Sequence, residues 1–218
     1  MNCKISDIGI TDYKDCYNLQ RQIHGEINNN KTGDRIIITE HNPVITIGRS
    51  GSRRNLLVSE EFLRSRNIEI VETDRGGDVT YHGPGQIVMY PVIDLKRHFK
   101  DVHKYLRYLE DIVITLLKEN NIESFRIKEK TGVWTKKGKI ASIGIGVSKW
   151  ITFHGLALNV DCGLTPFGWI NPCGFKDIKI TSMAQILNDK IDKELIKNRL
   201  VELFCEKFYH TLISGGKK

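Results

Sequence analysis

Residues 75–90 read Arg-Gly-Gly-Asp-Val-Thr-Tyr-His-Gly-Pro-Gly-Gln-Ile-Val-Met-Tyr, and no long helix or unbroken strand suits them. Four glycines raise the entropy cost of ordering the backbone, and Pro84 removes a hydrogen-bond donor. The chain must therefore fold around this run, with regular elements before and after it. The simplest reading is a surface hairpin turning on Gly83-Pro84-Gly85. A plain turn, however, needs no arginine, histidine and glutamine beside it. Arg75, Asp78, Thr80, Tyr81, His82 and Gln86 suit a loop that approaches a ligand closely and sets polar groups around it.

The flanks supply those elements. Strands are predicted at 35–40, 44–48, 68–73 and 86–95, and four more at 124–128, 132–135, 139–148 and 150–160. Asp12 is placed to cap a helix carrying Tyr13, Cys16, Leu19, Ile23 and Ile27, and Ser59 to cap a short one ending near Asn67. The clearest helix covers 101–120, where Val102, Tyr105, Leu106, Leu109, Ile112, Val113, Leu116 and Leu117 form one apolar stripe. An amphipathic helix is predicted at 192–209. Helices and strands are interspersed without regular βαβ alternation, so the expected class is α+β: a single domain with a mixed β-sheet packed by helices. At 218 residues one domain suffices, spanning 1–213, with 214–218 as a frayed tail.

Composition narrows the function. The charged share of 27% and hydrophobic share of 40% are those of a soluble globular protein, and the apolar runs are too short to span a bilayer. No secretory signal or lipidation pattern is visible, so no membrane association is expected. Five scattered cysteines without a CxxC spacing argue against a disulfide framework and a paired-cysteine zinc site; no metal or cofactor is expected, and a reducing cytoplasm is. The net charge of +7 suits an acidic partner as well as plain solubility. Nucleic acid is not that partner, since no zinc-finger spacing or ribonucleoprotein-type aromatic motif occurs.

The run closely resembles the motif of the lipoyl(octanoyl) transferases: Arg-Gly-Gly, two variable residues, Thr, an aromatic, His, two more, Gly-Gln and a tyrosine four positions on. Arg75, Gly76, Gly77, Thr80, Tyr81, His82, Gly85, Gln86 and Tyr90 fit it, and the resemblance covers about Arg35 to Ala184. It implies the fold of biotin- and lipoate-protein ligase catalytic domains. It also implies an acyl and thioester pocket lined by Arg75, Gly76, Gly77, Asp78, Val79, Thr80, Tyr81 and His82, with Gln86 in support. Three further contexts match the family. Cys173 lies in Asn-Pro-Cys-Gly-Phe and fits the Pro-Cys-Gly context of the family's nucleophile; Lys139 opens Lys-Ile-Ala-Ser-Ile-Gly and fits the Lys-Ile-x-Ser-x-Gly context of its partner lysine, bringing Ser142, Ile143 and Gly144. His154-Gly155-Leu156-Ala157 matches the family's pocket strand, with Gly155, Leu156 and Ala157 at the acyl group and His154 as a positioning residue.

The chemistry of such a pair is simple. A thiol with pKa ~8.5 is only a few per cent thiolate at pH 7. An ammonium within about 4–6 Å favours the thiolate, and a neutral lysine could instead take its proton. The expected reaction moves an octanoyl or lipoyl group from acyl carrier protein, through a thioester on Cys173, to a lysine of a lipoyl-accepting domain. Those acceptors are the 2-oxoacid dehydrogenase E2 subunits and the glycine cleavage H protein. The nearest alternative is an ATP-dependent ligase of the same fold, which would need no cysteine; Gly48-Arg49-Ser50-Gly51-Ser52-Arg53-Arg54 faintly resembles the glycine-arginine loop of those enzymes.

Overall fold

The computed structural model describes residues 3–172 and 178–210, His210 by its backbone alone. Cys173 and the expected tail at 214–218 lie outside the described residues. Among the described residues, ten strands form two sheets. The larger contains β1 (Lys4–Thr11), β2 (Arg35–His41), β6 (Gln86–Val92), β10 (Ile151–Asn159), β9 (Gly138–Ser148), β8 (Lys130–Thr135) and β7 (Phe125–Ile127), in that spatial order. Its β1–β2 pair is parallel and its other pairs are antiparallel. The smaller contains β4 (Glu69–Glu72), β3 (Val44–Ile47) and β5 (Val79–His82), with β3 parallel to β4 and antiparallel to β5.

Side chains alternate across a strand, and the larger sheet uses both faces. Ile36 and Ile38 of β2, Ile87 and Met89 of β6, and Leu156 and Leu158 of β10 join one core cluster. That cluster includes α3 (Val102–Glu119) and α5 (Lys193–Cys205). The intervening Ile37, Val88, Tyr90, Val92 and Ala157 meet Cys16, Ile23 and Ile27 of α1 (Tyr13–Asn28) on the other face. A third cluster fills the smaller sheet, where Ile45, Ile47, Val79 and Tyr81 pack on Phe167, Ile170 and Leu63 of α2 (Glu60–Arg64).

The expected α+β class holds, with both sheets mixed. The long stripe at 102–117 is the buried face of α3, joined by a charge the pattern could not flag: Glu110 is fully buried. It accepts from Arg107 and Arg126 at 2.7 Å each and from the Gly132 N–H at 3.1 Å. The C-terminal helix is shorter than predicted, passing into one π-helical turn over Glu206–His210.

Three features depart from expectation. β1 was not legible, because its residues are mostly exposed at the sheet edge. α4 (Met183–Leu187) is a single short helix, capped by Ser182. Most important, the glycine-rich run is not a loop throughout: residues 79–82 form β5, and Gly83-Pro84-Gly85 leads from one sheet to the other rather than closing a hairpin. Gly85 takes a φ of +85° there, and its N–H donates to buried Glu40 at 2.6 Å. Lys193 of α5 holds the same carboxylate at 2.9 Å.

Helix capping divides the aspartates. Asp12 sits at the start of α1 but makes no capping bond; its carboxylate accepts from the Asn42 side chain at 2.7 Å instead. Asp101 does cap α3, accepting from the Lys104 N–H at 2.9 Å. Asp101→Ala is therefore expected to lower stability by about 1 kcal/mol in urea unfolding, with an unchanged denaturant slope.

Candidate active site

A cavity opens where the smaller sheet meets β9 and β10. It encloses about 490 Å³ of empty space, counted to its solvent-open mouth. The glycine-rich run contributes Arg75, Gly76, Gly77, Asp78, Val79, Thr80 and His82. β9 contributes Lys139, Ser142, Ile143 and Gly144, and β10 contributes His154, Gly155, Leu156 and Ala157. Tyr13, Val88 and Tyr90 complete the wall. Tyr13 and Val88 carry no motif signal; both belong to ordinary amphipathic patterns, and only the packing of α1 against β6 brings them here. Tyr81 departs from its expected place: its ring packs edge-on to Phe167 at 5.5 Å inside the smaller sheet's core, away from the cavity lining.

The register of β9 and β10 explains the cavity's shape. Gly144 pairs with Gly155, Ile143 with Leu156, and Ser142 with Ala157. The loop at 75–78 lies across β9, with the Gly76 N–H donating to the Ile145 carbonyl at 2.8 Å. A Cβ on Gly144 would stand 2.8 Å from the Gly76 carbonyl oxygen, so any larger residue would lift the loop. Apolar surface from Val79, Val88, Ile143, Leu156 and Ala157 shares this space with polar side chains.

Arg75 is 8% exposed and holds the loop in place. Its guanidinium donates to the Thr46 hydroxyl at 2.9 and 3.1 Å, to the Thr46 carbonyl at 2.7 Å, and to the carbonyls of Gly76 at 3.0 Å and Asp78 at 2.6 Å. From Thr46 a directional chain of hydrogen bonds continues. The Thr181 carbonyl can only accept, so Asn159 donates to it at 3.0 Å. The Asn159 oxygen then accepts from Gln86 Nε2 at 2.8 Å, and Gln86 Oε1 accepts from His82 Nδ1 at 2.7 Å. That leaves His82 Nε2 to accept from Thr46 at 3.4 Å. Gln86 thus supports the site without lining it.

An imidazole and phenol layer lies beneath the loop. His41 Nδ1 donates to the Thr11 carbonyl at 3.1 Å, so its Nε2 accepts from Tyr90 at 2.8 Å. His82 stacks on Tyr13 at 6.0 Å, and His154 on Tyr17 at 5.3 Å. His154 has a left-handed φ of +56° and donates from Nε2 to Asp74 at 2.8 Å. Burial keeps these imidazoles neutral: the His41 and His154 pKa values fall to about 4, and that of His82 falls well below the usual histidine range. Burial also pushes the Tyr13 hydroxyl up to about 12. None of these groups is poised to take a proton at neutral pH.

Lys139 is only 2% exposed. Its backbone is clamped to the chain that follows Cys173: its N–H donates to the Lys179 carbonyl at 2.8 Å, and its carbonyl accepts from Thr181 at 3.0 Å. The chain before Cys173 is also tied down, with the Asn171 N–H donating to Asn55 at 2.8 Å and Ile170 bridging to Leu56. The four described thiols are unsuited to nucleophilic work. Burial raises Cys3 to about 11, Cys16 and Cys162 to about 12, and Cys205 above its ordinary value.

Two mixed sheets meeting at an apolar-walled cavity, with a buried lysine in its wall, define a catalytic domain of the lipoate- and biotin-protein ligase fold. The chain superposes on a bipartite lipoate protein ligase from Thermoplasma acidophilum with a TM-score of 0.73 at 15% identity, covering 95% of this chain and 84% of that one. It superposes on the biotin protein ligase of Aquifex aeolicus with a TM-score of 0.58 at 13% identity, covering 94% and 69%. In sequence, the lipoyl protein ligase A/B catalytic domain family matches residues 12–205. An octanoyltransferase of Caldicellulosiruptor bescii is 42% identical over 213 residues, 97% of this chain and 93% of that protein. The chain belongs to the octanoyltransferases of the lipoyl protein ligase A/B catalytic domain family.

The buried histidines give the fold a pH dependence. Below about pH 6.5 the unfolded chain binds protons at His41 and His154 that the native protein refuses until about pH 4. Stability therefore falls as pH drops through that window, by about 2 kcal/mol for each histidine at pH 5 relative to pH 7.5. Urea unfolding across pH 5–7.5 reads this directly, and His41→Asn is expected to flatten the slope.

Proposed function

We propose that this protein transfers an octanoyl group from acyl carrier protein to a lysine of a lipoyl-accepting domain, through a thioester on Cys173. The observation that carries the proposal is the position of Lys139. It is buried in the cavity wall, and its backbone is hydrogen-bonded to the chain just beyond Cys173. The raised thiols elsewhere leave Cys173 as the nucleophile that the motif context supports.

In the first step the Cys173 thiolate attacks the carbonyl carbon of the carrier-bound thioester. A C–S bond to Cys173 forms, the C–S bond to the carrier breaks, and the carrier thiolate takes a proton from Lys139. In the second step the acceptor's lysine amine attacks the new thioester. A C–N bond forms, the Cys173 sulfur leaves, and the amine proton returns through Lys139. Exchange between thioesters is nearly even in energy, and the amide product makes the second step downhill. The reading requires no metal or nucleotide.

The acyl chain would lie along the apolar wall of Val79, Val88, Ile143, Leu156 and Ala157. Burying about seven carbons at ~0.8 kcal/mol each gives ~5–6 kcal/mol of binding. One methylene changes discrimination by only ~1–3 kcal/mol, so neighbouring chain lengths should also react. The acceptors are the E2 subunits of 2-oxoacid dehydrogenases and the glycine cleavage H protein, and the reaction belongs in a reducing cytoplasm where Cys173 stays a thiol. Arg75, Gly76, Gly77, Asp78, Thr80 and His82 would frame the thioester end, with His154 fixing that wall.

A ligase reading is weaker at one specific place. The stretch that resembles the ligases' glycine-arginine loop already uses its backbone donors: the Gly48, Arg49 and Ser50 N–H groups bond to the carbonyls of Asp78, Arg75 and Gly77. They are not left open for phosphates.

Transfer from octanoyl carrier protein to an isolated lipoyl domain tests the proposal. Cys173→Ala is expected to abolish it, and Lys139→Ala to lower kcat by ~10²-fold or more. Replacing Cys3, Cys16, Cys162 or Cys205 by Ser or Ala should leave kcat within a few-fold. Full activity of Cys173→Ala, or transfer dependent on ATP and free acid, would overturn it.

A further inference from the structure

Lys139 owes its placement to the neighbouring strand. We propose that Gly132 and Trp134 of β8 are positioning residues for Lys139, Gly132 leaving the space its side chain fills and Trp134 presenting its ring to the ammonium. The inference rests on the proposed proton-handling role of Lys139.

Trp134 pairs with Lys139 across β8 and β9, so the two side chains share one face of the sheet. The Lys139 Nζ stands 5.4 Å from the Trp134 ring centroid, within reach of a cation–π contact that burial strengthens. Lys130 approaches the same ring at 5.9 Å from the more exposed, N-terminal end of β8. The indole Nε1 is buried and has no hydrogen-bond partner among the described residues, and it is the ring that faces the Lys139 side chain.

Gly132 fits the same purpose. It has a φ of +125°, and a Cβ there would stand 2.7 Å from Lys139 Cε, 3.3 Å from Nζ and 2.6 Å from the Ala141 carbonyl oxygen. Its N–H donates to buried Glu110 at 3.1 Å, and Arg107 and Arg126 fix that carboxylate from α3. β8 is thus tied to the helix layer at a residue that the lysine side chain packs against, and the strand register shifts between Val133 and Trp134 beside it. A lysine on an unsupported hairpin would sample many rotamers; here the neighbouring strand and the ring restrict it.

The test is a double-mutant cycle on octanoyl transfer, read as kcat and KM, with thermal unfolding as the check on folding. Trp134→Leu is expected to lower kcat about 10- to 30-fold, with KM for the octanoyl carrier unchanged within about twofold. Trp134→Phe keeps a ring and should restore kcat to within about threefold of the native value. In a Lys139→Gln background, Trp134→Leu should cost nothing further, because the ring then no longer has the Lys139 side chain to position. Native kcat in Trp134→Leu, equal losses in the Leu and Phe variants, or losses that multiply in the Lys139→Gln background would each overturn the inference. Should Trp134→Leu fail to fold, Trp134→Met, which keeps the bulk but removes the ring, carries in the same cycle the same expectation of loss with Lys139 and none without it. Undiminished activity in Lys139→Gln alone would instead overturn the parent reading of Lys139, which keeps the two failures apart.

Discussion

The site depends on one buried guanidinium. Arg75 takes hydrogen-bond acceptors from β3 and from its own loop, and the loop in turn bonds to β9 through Gly76. One side chain therefore fixes the loop that bridges the two sheets at the cavity between them. Hydrogen bonds from a charged donor contribute more than neutral ones, and leaving such a charge unmet in the interior is costly. The loop is held because letting go would strand a cation. From Thr46 the bonding continues in one direction through His82, Gln86, Asn159 and Thr181 to the Lys139 carbonyl. The glycine-rich run and the strand bearing the lysine are thus parts of one hydrogen-bonded assembly.

That assembly separates two kinds of polar residue. The histidines are buried, neutral and stacked on tyrosines, and their pKa values are far from working pH. They shape a dry polar wall and fix donors and acceptors without exchanging protons. Lys139 is different in kind: it lies against the cavity, its backbone touches the chain after Cys173, and an aromatic ring faces its ammonium. In this account the proton chemistry belongs to the lysine and the cysteine, and the imidazoles supply rigidity.

Much of the fold is legible in the sequence, for physical reasons that differ by residue. The stripe from Val102 to Leu117 has one dominant period, so α3 was plain. The mixture of glycine with Arg75, His82 and Gln86 marked the site, because close backbone approach and buried polar groups need those residue types together. What stayed hidden is what one-dimensional patterns do not carry. Tyr13 and Val88 reach the cavity only through the packing of α1 on β6. Tyr81 sits among site residues in the sequence, yet alternation along β5 turns it into the core. β1 lacks a buried face strong enough to show, and the buried charge of Glu110 looks like any polar residue of a helix until its arginines and Gly132 are in place. Asp12 stands at the N-cap position of α1, but the Asn42 side chain claims its carboxylate.

The account stands or falls on a covalent intermediate at Cys173. Intact mass spectrometry of the protein mixed with octanoyl carrier protein, without acceptor, followed by digestion, measures it directly. The account predicts one octanoyl adduct, on the peptide containing Cys173, that is removed by hydroxylamine and discharged by a lipoyl domain. Transfer that proceeds with no adduct on that peptide, or an adduct on another residue that discharges at the catalytic rate, would contradict it.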